Sequence, residues 1–331
     1  MATLKDVARL ACVDVSTVSR ALNNTSYVHP DTKARIYAAV KELSYQPNLL
    51  AQGLRQGKRH TIGMVFPGLN MTIFAEIAQS IEEEARRRAY ATMICTTEDN
   101  PDEERECLNR LRNGFVDGLI VASTGKNNRL LRDIQSSGIA VGQIIRQQEK
   151  TISAVLADYE ACGYEAVKYL VGKGCREIGL INGLTELRPY RDRYFGYCRA
   201  LDKFNLPELS AVADCKNNSF EYGYRCAEEL LAQSDHLDAI MAAVDIQGLG
   251  AMRALKDHGV RVPQDVRLLS LTGHSIGKLL ETTMTALELP AVEMGVQVTR
   301  MVVEQIEAPS DAKPSPQRLV FPAALVERET T

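Results

Sequence analysis

From residue 60 onward, short apolar segments alternate with longer segments that have the apolar spacing of helices. Short apolar runs predict buried strands, and an apolar residue at every third or fourth position predicts a helix. The predicted strands lie at 61–66, 90–96, 117–122, 139–144, 176–181, 211–214, 239–244, 266–271 and 318–326. The predicted helices lie at 74–88, 101–113, 130–137, 159–172, 192–203, 219–232 and 246–258. This alternation predicts an α/β fold with parallel sheets that helices cover on both faces.

The number of strands indicates two lobes rather than one sheet. About ten strands exceed what one open, doubly wound sheet comfortably holds. We assign about 61–158 and 288–317 to the first lobe, and about 159–287 and 318–331 to the second. Ligands bind such folds in the crevice outside the carboxyl ends of the strands. We therefore expect the body, residues 61–331, to bind a ligand between its lobes.

The first 46 residues, which we call the head, predict three short helices. The apolar spacing from Leu4 to Ala11 indicates one helix, which Thr3 can cap. Asp14 can cap a second helix, and Pro30 is a favoured first residue for a third. Two short helices joined by a tight turn, with a third that completes a small core, form a helix-turn-helix unit.

The charge distribution favours nucleic-acid binding by the amino-terminal segment. Residues 1–60 contain nine Lys and Arg against four Asp and Glu, within a chain whose net charge is −3. A small basic segment on a larger acidic one is typical of nucleic-acid-binding proteins. A solvated basic surface is the alternative interpretation of the same pattern.

Four short motifs in the first 48 residues form a specific set. They are residues 3–8 (TLKDVA), 13–23 (VDVSTVSRALN), 28–32 (VHPDT) and 45–48 (YQPN). This set resembles the lactose-repressor/galactose-repressor family of bacterial transcription regulators. The body also resembles that family, and through it the periplasmic sugar-binding proteins, at 116–121, 193–197 and 259–266. The resemblance implies a three-helix helix-turn-helix head followed by a two-lobed, periplasmic-binding-protein-like body with parallel sheets.

For the head, the resemblance implies a DNA-reading surface on the second helix. Val15 and Ser16 would set base specificity, and Arg20 would read a base, since Arg can bond a guanine in two places. Other positions match contacts to the DNA backbone or groove, namely Thr3, Leu4, Thr17, Ser19, Asn23 and Tyr27. Core packing is the alternative role for Leu4.

Residues 47–60 form the predicted linker. The resemblance makes this linker a hinge helix that folds on DNA, with Asn48 and Ala51 at the duplex and Leu54 wedged into the minor groove. A flexible interdomain tether is the alternative, which Gly53 and Gly57 favour.

For the body, the resemblance implies six effector-binding residues, which are Phe74, Ser123, Asp158, Arg193, Phe220 and Asp245. Arg193 offers a fixed fork of donors to an oxygen-rich ligand. Helix capping is the alternative role for Asp158 and Asp245, and core packing is the alternative for Phe74.

One departure from the family lies after the predicted strand 266–271. The family usually has an acidic residue there that grips the effector, whereas this chain reads Gly273-His274-Ser275-Ile276. A hexose effector held by several carboxylates is therefore less favoured, and the alternatives are a different polyol or glycoside, a less hydroxylated molecule, or no effector. His274 is either a replacement contact or an ordinary loop residue.

The composition and the motifs argue against several other classes of protein. With 45% hydrophobic and 24% charged residues, the chain has the composition of a globular protein. It contains no GxSxG, P-loop or HExxH motif, so we predict no enzyme and no cofactor. The eight cysteines form no CxxC pair or zinc-ligand spacing; we interpret them as core or loop residues, with a redox sensor as the alternative. No membrane-spanning run or signal peptide is visible, so we expect a cytoplasmic protein.

We therefore predict a sequence-specific DNA-binding transcription regulator, in particular a repressor. It would act as a homodimer on an inverted-repeat operator, and a small, sugar-like effector between the lobes would control its operator affinity. The alternative is a cytoplasmic solute-binding protein without regulatory DNA binding.

Overall fold

The computed structural model describes residues 2–23, 26–45, 59–213, 215, 218–273, 275–309, 312 and 314–331. Most of the predicted linker lies outside these residues, and so do Asn48, Ala51, Leu54 and His274. The chain forms two compact units, Met1–Arg59 and His60–Thr331.

The amino-terminal unit contains the three predicted helices, which are α1 (Leu4–Leu10), α2 (Val15–Asn23) and α3 (Pro30–Glu42). Buried apolar side chains from all three helices form one small core, including Val7, Val18 and Ile36. The turn between α1 and α2 places Cys12 at φ 52°, a left-handed conformation that non-glycine residues seldom adopt.

A reciprocal capping box begins α1. The Thr3 side chain accepts a hydrogen bond from the Asp6 amide, and the Asp6 carboxylate accepts one from the Thr3 amide at 2.9 Å. The hydrogen bonds from the side chain and then the backbone of Thr3 lower the pKa of Asp6. The ionised Asp6 therefore stabilises the fold above its unfolded pKa, and this contribution disappears as the pH falls through its folded pKa.

Replacing Thr3 by alanine tests this cap. We expect the pKa of Asp6 in Thr3→Ala to rise toward the ordinary aspartate value, because the hydroxyl donor is lost. The carboxyl pKa is measured by NMR titration, with Thr32→Ala in α3 as the control. An unchanged Asp6 pKa in Thr3→Ala would contradict the assigned hydrogen bonds.

The elements of the carboxy-terminal unit alternate as the sequence predicts. They are β1 (Thr61–Phe66), α4 (Thr72–Arg87), β2 (Ala91–Thr96), α5 (Pro101–Arg112), β3 (Gly118–Val121), α6 (Asn128–Ser136), β4 (Ala140–Ile144), β5 (Ser153–Ala157), α7 (Tyr159–Gly172), β6 (Ile178–Ile181), α8 (Arg188–Phe204), β7 (Leu209–Ala211), α9 (Phe220–Gln233), β8 (Ala239–Ala242), α10 (Asp245–Asp257), β9 (Arg267–Gly273), β10 (Thr285–Glu288), α11 (Ala291–Glu307), β11 (Arg318–Phe321) and β12 (Ala324–Val326). A 3₁₀ helix, Ser275–Leu279, follows β9.

The strands form two six-stranded sheets, one in each lobe. The order is β11-β5-β4-β3-β1-β2 in the first sheet and β12-β10-β9-β8-β6-β7 in the second. Every neighbouring pair is parallel except β10 and β12. Two lobes with parallel sheets are therefore confirmed.

One predicted strand and one lobe boundary are wrong. The predicted strand 318–326 is two strands, because β11 pairs with β5 in the first sheet and β12 pairs with β10 in the second. Residues 318–321 therefore belong to the first lobe, not to the second. Pro322 lies between the two strands and has no amide proton to continue a ladder. The strands β5 and β10 and the helix α11 were also not predicted from the sequence.

Helices α7 and α8 approach each other through a pair of glycines. A Cβ atom on Gly163 would lie 2.2 Å from the carbonyl oxygen of Arg193, and one on Gly196 would lie 2.0 Å from that of Glu160. The α9–α10 pair repeats this arrangement at Gly223, where a Cβ would lie 2.0 Å from a backbone oxygen of α10. Only glycine fits helices this close together, so these positions fix the helix layer of the second lobe.

Candidate functional site

The exposed face of α2 carries the polar residues that the sequence analysis singled out. Val18 is buried in the core, whereas Ser16 and Arg20 are exposed and Thr17 and Ser19 are half-buried. The Arg20 guanidinium donates from Nε to the Ser16 carbonyl at 3.3 Å, and from Nη2 to Thr17 Oγ1 at 3.2 Å. These contacts hold the guanidinium on the same face as Ser16.

The other predicted DNA contacts of the head lie in varied environments. Leu4 and Val15 are half-buried and pack against the core. Thr3 caps α1, and Tyr27 is 82% exposed. Asn23 is the last residue of α2, and its side chain lies outside the described part of the chain. Leu4 therefore packs against the core and keeps part of its surface exposed, while Tyr27 offers an exposed ring.

A cavity lies between the two lobes at the carboxyl ends of their parallel strands. The first lobe contributes Asn70, Met71, Thr72 and Ile73, and the second contributes Val244, Asp245, Ile246, Leu249, Thr272 and Ile276. The loops after β1 and β8 and the first two turns of the helices that follow them, α4 and α10, carry most of these residues. We call this cavity and the buried polar groups around it the cleft.

Hydrogen bonds join the lobes directly across the cleft. The Thr72 hydroxyl donates to Asp245 Oδ2 at 3.0 Å, and the Asn70 side-chain amide donates to the Asn218 carbonyl at 3.2 Å. Asp245 is buried and also accepts from the Ser270 hydroxyl at 2.8 Å. The contacts of Asp245 therefore depend on how the two lobes are placed.

Arg146 is a buried cation of the first lobe, and its partner Asp99 lines a second cavity that shares Asn70 and Met71 with the first cavity. Arg146 is 2% exposed, and its Nη2 lies 3.1 Å from Asp99 Oδ2 in an ion pair. Burial lowers the pKa of Arg146, but the ion pair with Asp99 outweighs burial, and the pKa lies above its usual value. Arg146 therefore stays charged while buried.

A strained turn positions Arg146. Ile145 has φ 66°, and the Arg146 amide donates to the Ile144 carbonyl at 2.6 Å, which closes a three-residue turn. A β-branched residue at positive φ costs roughly 1–3 kcal/mol. Such strain is typical of functional sites, where it directs a side chain that an extended strand would point elsewhere.

Arg193 is the corresponding buried cation of the second lobe. It is 3% exposed, and its Nη2 donates to the Thr272 hydroxyl. Its guanidinium carbon lies 4.5 Å from the ring centroid of Tyr159 and 5.7 Å from that of Tyr190. Burial raises the pKa of Tyr190 to about 12, and the charges of Arg193 and Arg146 act in the opposite direction. Both arginines therefore lie within electrostatic reach of the same ring.

The structure brings Arg193 and Asp245 to the cleft and gives the other four predicted effector residues different surroundings. Phe74 is buried in the core against Phe66, with ring centroids 5.3 Å apart. Ser123 is buried and accepts from a backbone amide. Asp158 caps α7, as its alternative role states, and Phe220 is partly exposed at the first turn of α9.

Sequence reasoning missed several residues of the cleft, which are Asn70, Thr72, Asp99, Arg146, Tyr159, Tyr190, Asn218 and Thr272. One signal could have found Arg146 and Asp99. Each follows a predicted first-lobe strand by a few residues, at the edge where ligands bind. The same signal applies to Asn70, Thr72, Asn218 and Thr272, which follow the predicted strands 61–66, 211–214 and 266–271, whereas Tyr159 and Tyr190 have no comparable signature.

Two kinds of feature are absent from the described part of the chain. Among the helices in the described ranges, none is long and apolar enough to cross a membrane. Across those same residues, no group of three or more His, Cys, Asp or Glu side chains is placed to hold a metal ion.

Two protein-family descriptions match this chain. Residues 3–48 match the family described as bacterial regulatory proteins, lacI family. Residues 151–331 match the periplasmic binding protein-like domain.

Curated relatives and solved structures align over almost the whole chain. The ribose operon repressor of Halalkalibacterium halodurans is 30% identical over 100% of this chain and 97% of its own length. A structure of the transcriptional regulator CelR in complex with cellobiose is 26% identical, with a TM-score of 0.73 over 100% of both chains. The lac repressor dimer bound to operator and the anti-inducer ONPF shares the fold, with a TM-score of 0.84 at 22% identity over 100% of this chain and 99% of that one.

Proposed function

Because the chain belongs to the lacI family of bacterial regulatory proteins and is a DNA-binding transcription regulator, we propose that a small molecule bound in the cleft controls how tightly its head binds an operator. The relatives are regulators rather than enzymes, and several are named repressors. Repression in the cytoplasm is therefore the action we assign to this chain. A solute receptor without DNA binding is not favoured.

For operator recognition, α2 carries the residues that we propose to read DNA. Ser16 and Arg20 share its exposed face, and Val15 lies beside them at its first position. Arg20 suits a guanine edge, and Val15 suits a thymine methyl group. Backbone and groove contacts are proposed for Thr3, Leu4, Thr17, Ser19, Asn23 and Tyr27, and hinge contacts for Asn48, Ala51 and Leu54.

The domain roles follow the same proposal. Residues 1–46 read DNA, residues 47–60 form the hinge, and residues 61–331 bind the effector and form a homodimer. A twofold dimer reads an inverted repeat, because each head meets one half-site.

Effector control is carried by one observation, the hydrogen bond from Thr72 of the first lobe to Asp245 of the second. A ligand that contacts Asp245 changes a bond between the lobes, and a change in lobe closure changes the position of the linkers. CelR was solved with cellobiose, and an Enterococcus faecium regulator with ribose, which supports a carbohydrate-like effector here. We assign contacts to Arg193 and Asp245 and keep Ser123, Asp158 and Phe220 as weaker candidates, while Phe74 stays in the core.

The test is a two-stage binding experiment with the full chain. An operator is first selected from random duplex DNA, and its affinity is then measured with a panel of mono- and disaccharides and their acidic derivatives. We expect at least one compound to change operator affinity by roughly 5- to 150-fold, the usual range of coupling between sites. Recovery of an inverted repeat that no compound affects would reject ligand control and leave DNA recognition intact.

The interlobe bond also gives a stability prediction. Thr72→Val removes the first-lobe hydroxyl that donates to the buried Asp245 carboxylate, while the bond from the Ser270 hydroxyl stays. We expect a loss of about 1 kcal/mol in unfolding free energy and a larger radius of gyration in solution scattering. Thr92→Val, on the edge strand β2 of the same lobe, is the matched control. Identical scattering and stability for the two variants would show that the bond does not hold the lobes together.

A further inference from the structure

Arg193 is a buried cation without an anionic partner in the part of the chain that the structure describes. Its Nη2 donates to the Thr272 hydroxyl, and its Nε has no hydrogen-bond partner. The Thr272 hydroxyl in turn donates to the Ala243 carbonyl at 2.9 Å, so this group adds no negative charge. Burying an unpaired cation is costly, and contacts with aromatic faces offset only part of that cost.

The carboxylates of Asp99 and Asp245 at the cleft are engaged with other groups. Asp99 forms its ion pair with Arg146, and Asp245 accepts from the Thr72 and Ser270 hydroxyls. The segment after β9 supplies no acid either, since it reads Gly273-His274-Ser275-Ile276. Within the described residues, the Arg193 guanidinium therefore has no carboxylate partner and can pair with an anionic group of a ligand.

Arg146 strengthens this conclusion from the opposite lobe. Its Nε is also buried without a hydrogen-bond partner, although Asp99 occupies its terminal nitrogens. Burial raises the pKa values of Tyr159 and Tyr190, and the positive charges of Arg146 and Arg193 both oppose that rise. The two rings lie under the Arg193 guanidinium. An anionic oxygen group placed over these rings would therefore meet positive charge from both lobes.

We propose that the effector of this chain carries an anionic oxygen group, a carboxylate or a phosphate, which pairs with Arg193. This inference rests on the proposed ligand control and narrows its ligand class from carbohydrates in general to sugar acids or sugar phosphates. The planar guanidinium matches either group with two parallel hydrogen bonds. Asp245 and Asn218 bear oxygen acceptors at the cleft, and the hydroxyl groups of the ligand would compete for them with their present donors from the first lobe.

The first test uses small anions, so that no guess about the sugar is needed. Thermal unfolding of the full chain is measured in formate, acetate and phosphate against chloride at equal ionic strength. The variants are Arg193→Gln and, as the matched control on the exposed side of α8, Arg199→Gln, whose guanidinium pairs with Glu160 on the surface. Formate or acetate acting alone identifies a carboxylate site, and phosphate acting alone identifies a phosphate site.

We expect one class of anion to raise the melting temperature of the wild type and of Arg199→Gln. Its apparent affinity should be at least about tenfold weaker in Arg193→Gln, the loss expected for a charge-assisted hydrogen bond. Equal shifts in all three proteins, or no shift beyond that of chloride, would overturn the proposal. If Arg193→Gln does not fold, Arg193→Lys replaces it, and a weakened anion effect in that variant alone supports the proposal whereas an unchanged one overturns it.

The second test separates this proposal from ligand control itself. Operator affinity is measured with D-glucose, D-glucuronate and D-glucose 6-phosphate. An effect of D-glucose without an effect of either anion overturns the proposal while ligand control stands. An effect of one anion that Arg193→Gln loses and Arg199→Gln keeps supports both. If small anions act through Arg193 but none of the three compounds alters operator affinity, the anion site stands and control by these ligands is rejected.

Discussion

Replacing Gly196 by alanine is expected to lower the free energy of unfolding of the body by about 3 kcal/mol, near the upper end for overpacking a close contact. The added Cβ would lie 2.0 Å from the Glu160 carbonyl oxygen and 2.9 Å from the Tyr164 amide nitrogen. Both are backbone atoms, so no side chain can rotate aside, and α7 and α8 must move apart. Alanine has the higher helix propensity by about 1 kcal/mol, which is too little to compensate.

Gly172→Ala is the matched control for this prediction. Gly172 is the last residue of α7, and a Cβ there would meet no atom within 4 Å. The same substitution is therefore expected to stabilise the protein by roughly 0.5–1 kcal/mol, because only the propensity difference acts. Both variants are measured by chemical denaturation followed by circular dichroism. Equal and small effects would mean that the helices are free to separate.

Replacing Arg20 by alanine is expected to cost about 1–3 kcal/mol in affinity for the preferred operator and to relax base preference at one position of each half-site. The guanidinium lies on the exposed face of α2, and its present partners are groups of its own helix, Ser16 and Thr17. Those contacts are weak enough to exchange for a base edge. The measurement compares affinities for the selected operator and for single-base variants of it.

The control is Arg35→Ala in α3, where the exposed guanidinium lies 3.5 Å from the Thr32 hydroxyl. A positive charge that contacts only phosphates contributes equally at every sequence. Its removal therefore weakens binding uniformly and makes the affinity less dependent on salt, which is the result expected for Arg35→Ala. If Arg20→Ala has the same base preference as the wild type, Arg20 does not read a base.

Local patterns predicted much of the fold. The helix α7 occupies Tyr159–Gly172, the predicted bounds, because Asp158 caps it and apolar residues repeat along one face. The strand β5 was missed because it follows β4 after only a short loop. Parallel neighbours usually require a longer, helical crossover, so the pattern gave no reason to expect a strand there.

The cleft was predicted less completely than the fold. Arg193 was found through the family resemblance, whereas Arg146 acquires its position from the turn at Ile145 and its charge partner from a different loop. Apolar periodicity indicates neither a turn of this kind nor an ion pair between residues far apart in the sequence. For the same reason, the sequence could not place Tyr159 and Tyr190 beneath one guanidinium.

The place of β11 in the first sheet has a consequence for synthesis on the ribosome. Its partner β5 is made early, but β11 follows every strand of the second sheet except β12. Helix α11 also emerges late, although Val302 covers Gly118 and Gly142 of the first sheet. A nascent chain therefore keeps an apolar face of its first lobe uncovered until residue 307 has been added. The first lobe therefore cannot be completed until most of the second lobe has been synthesised. A chaperone that binds nascent apolar surfaces would bind the uncovered face of the first lobe during that interval.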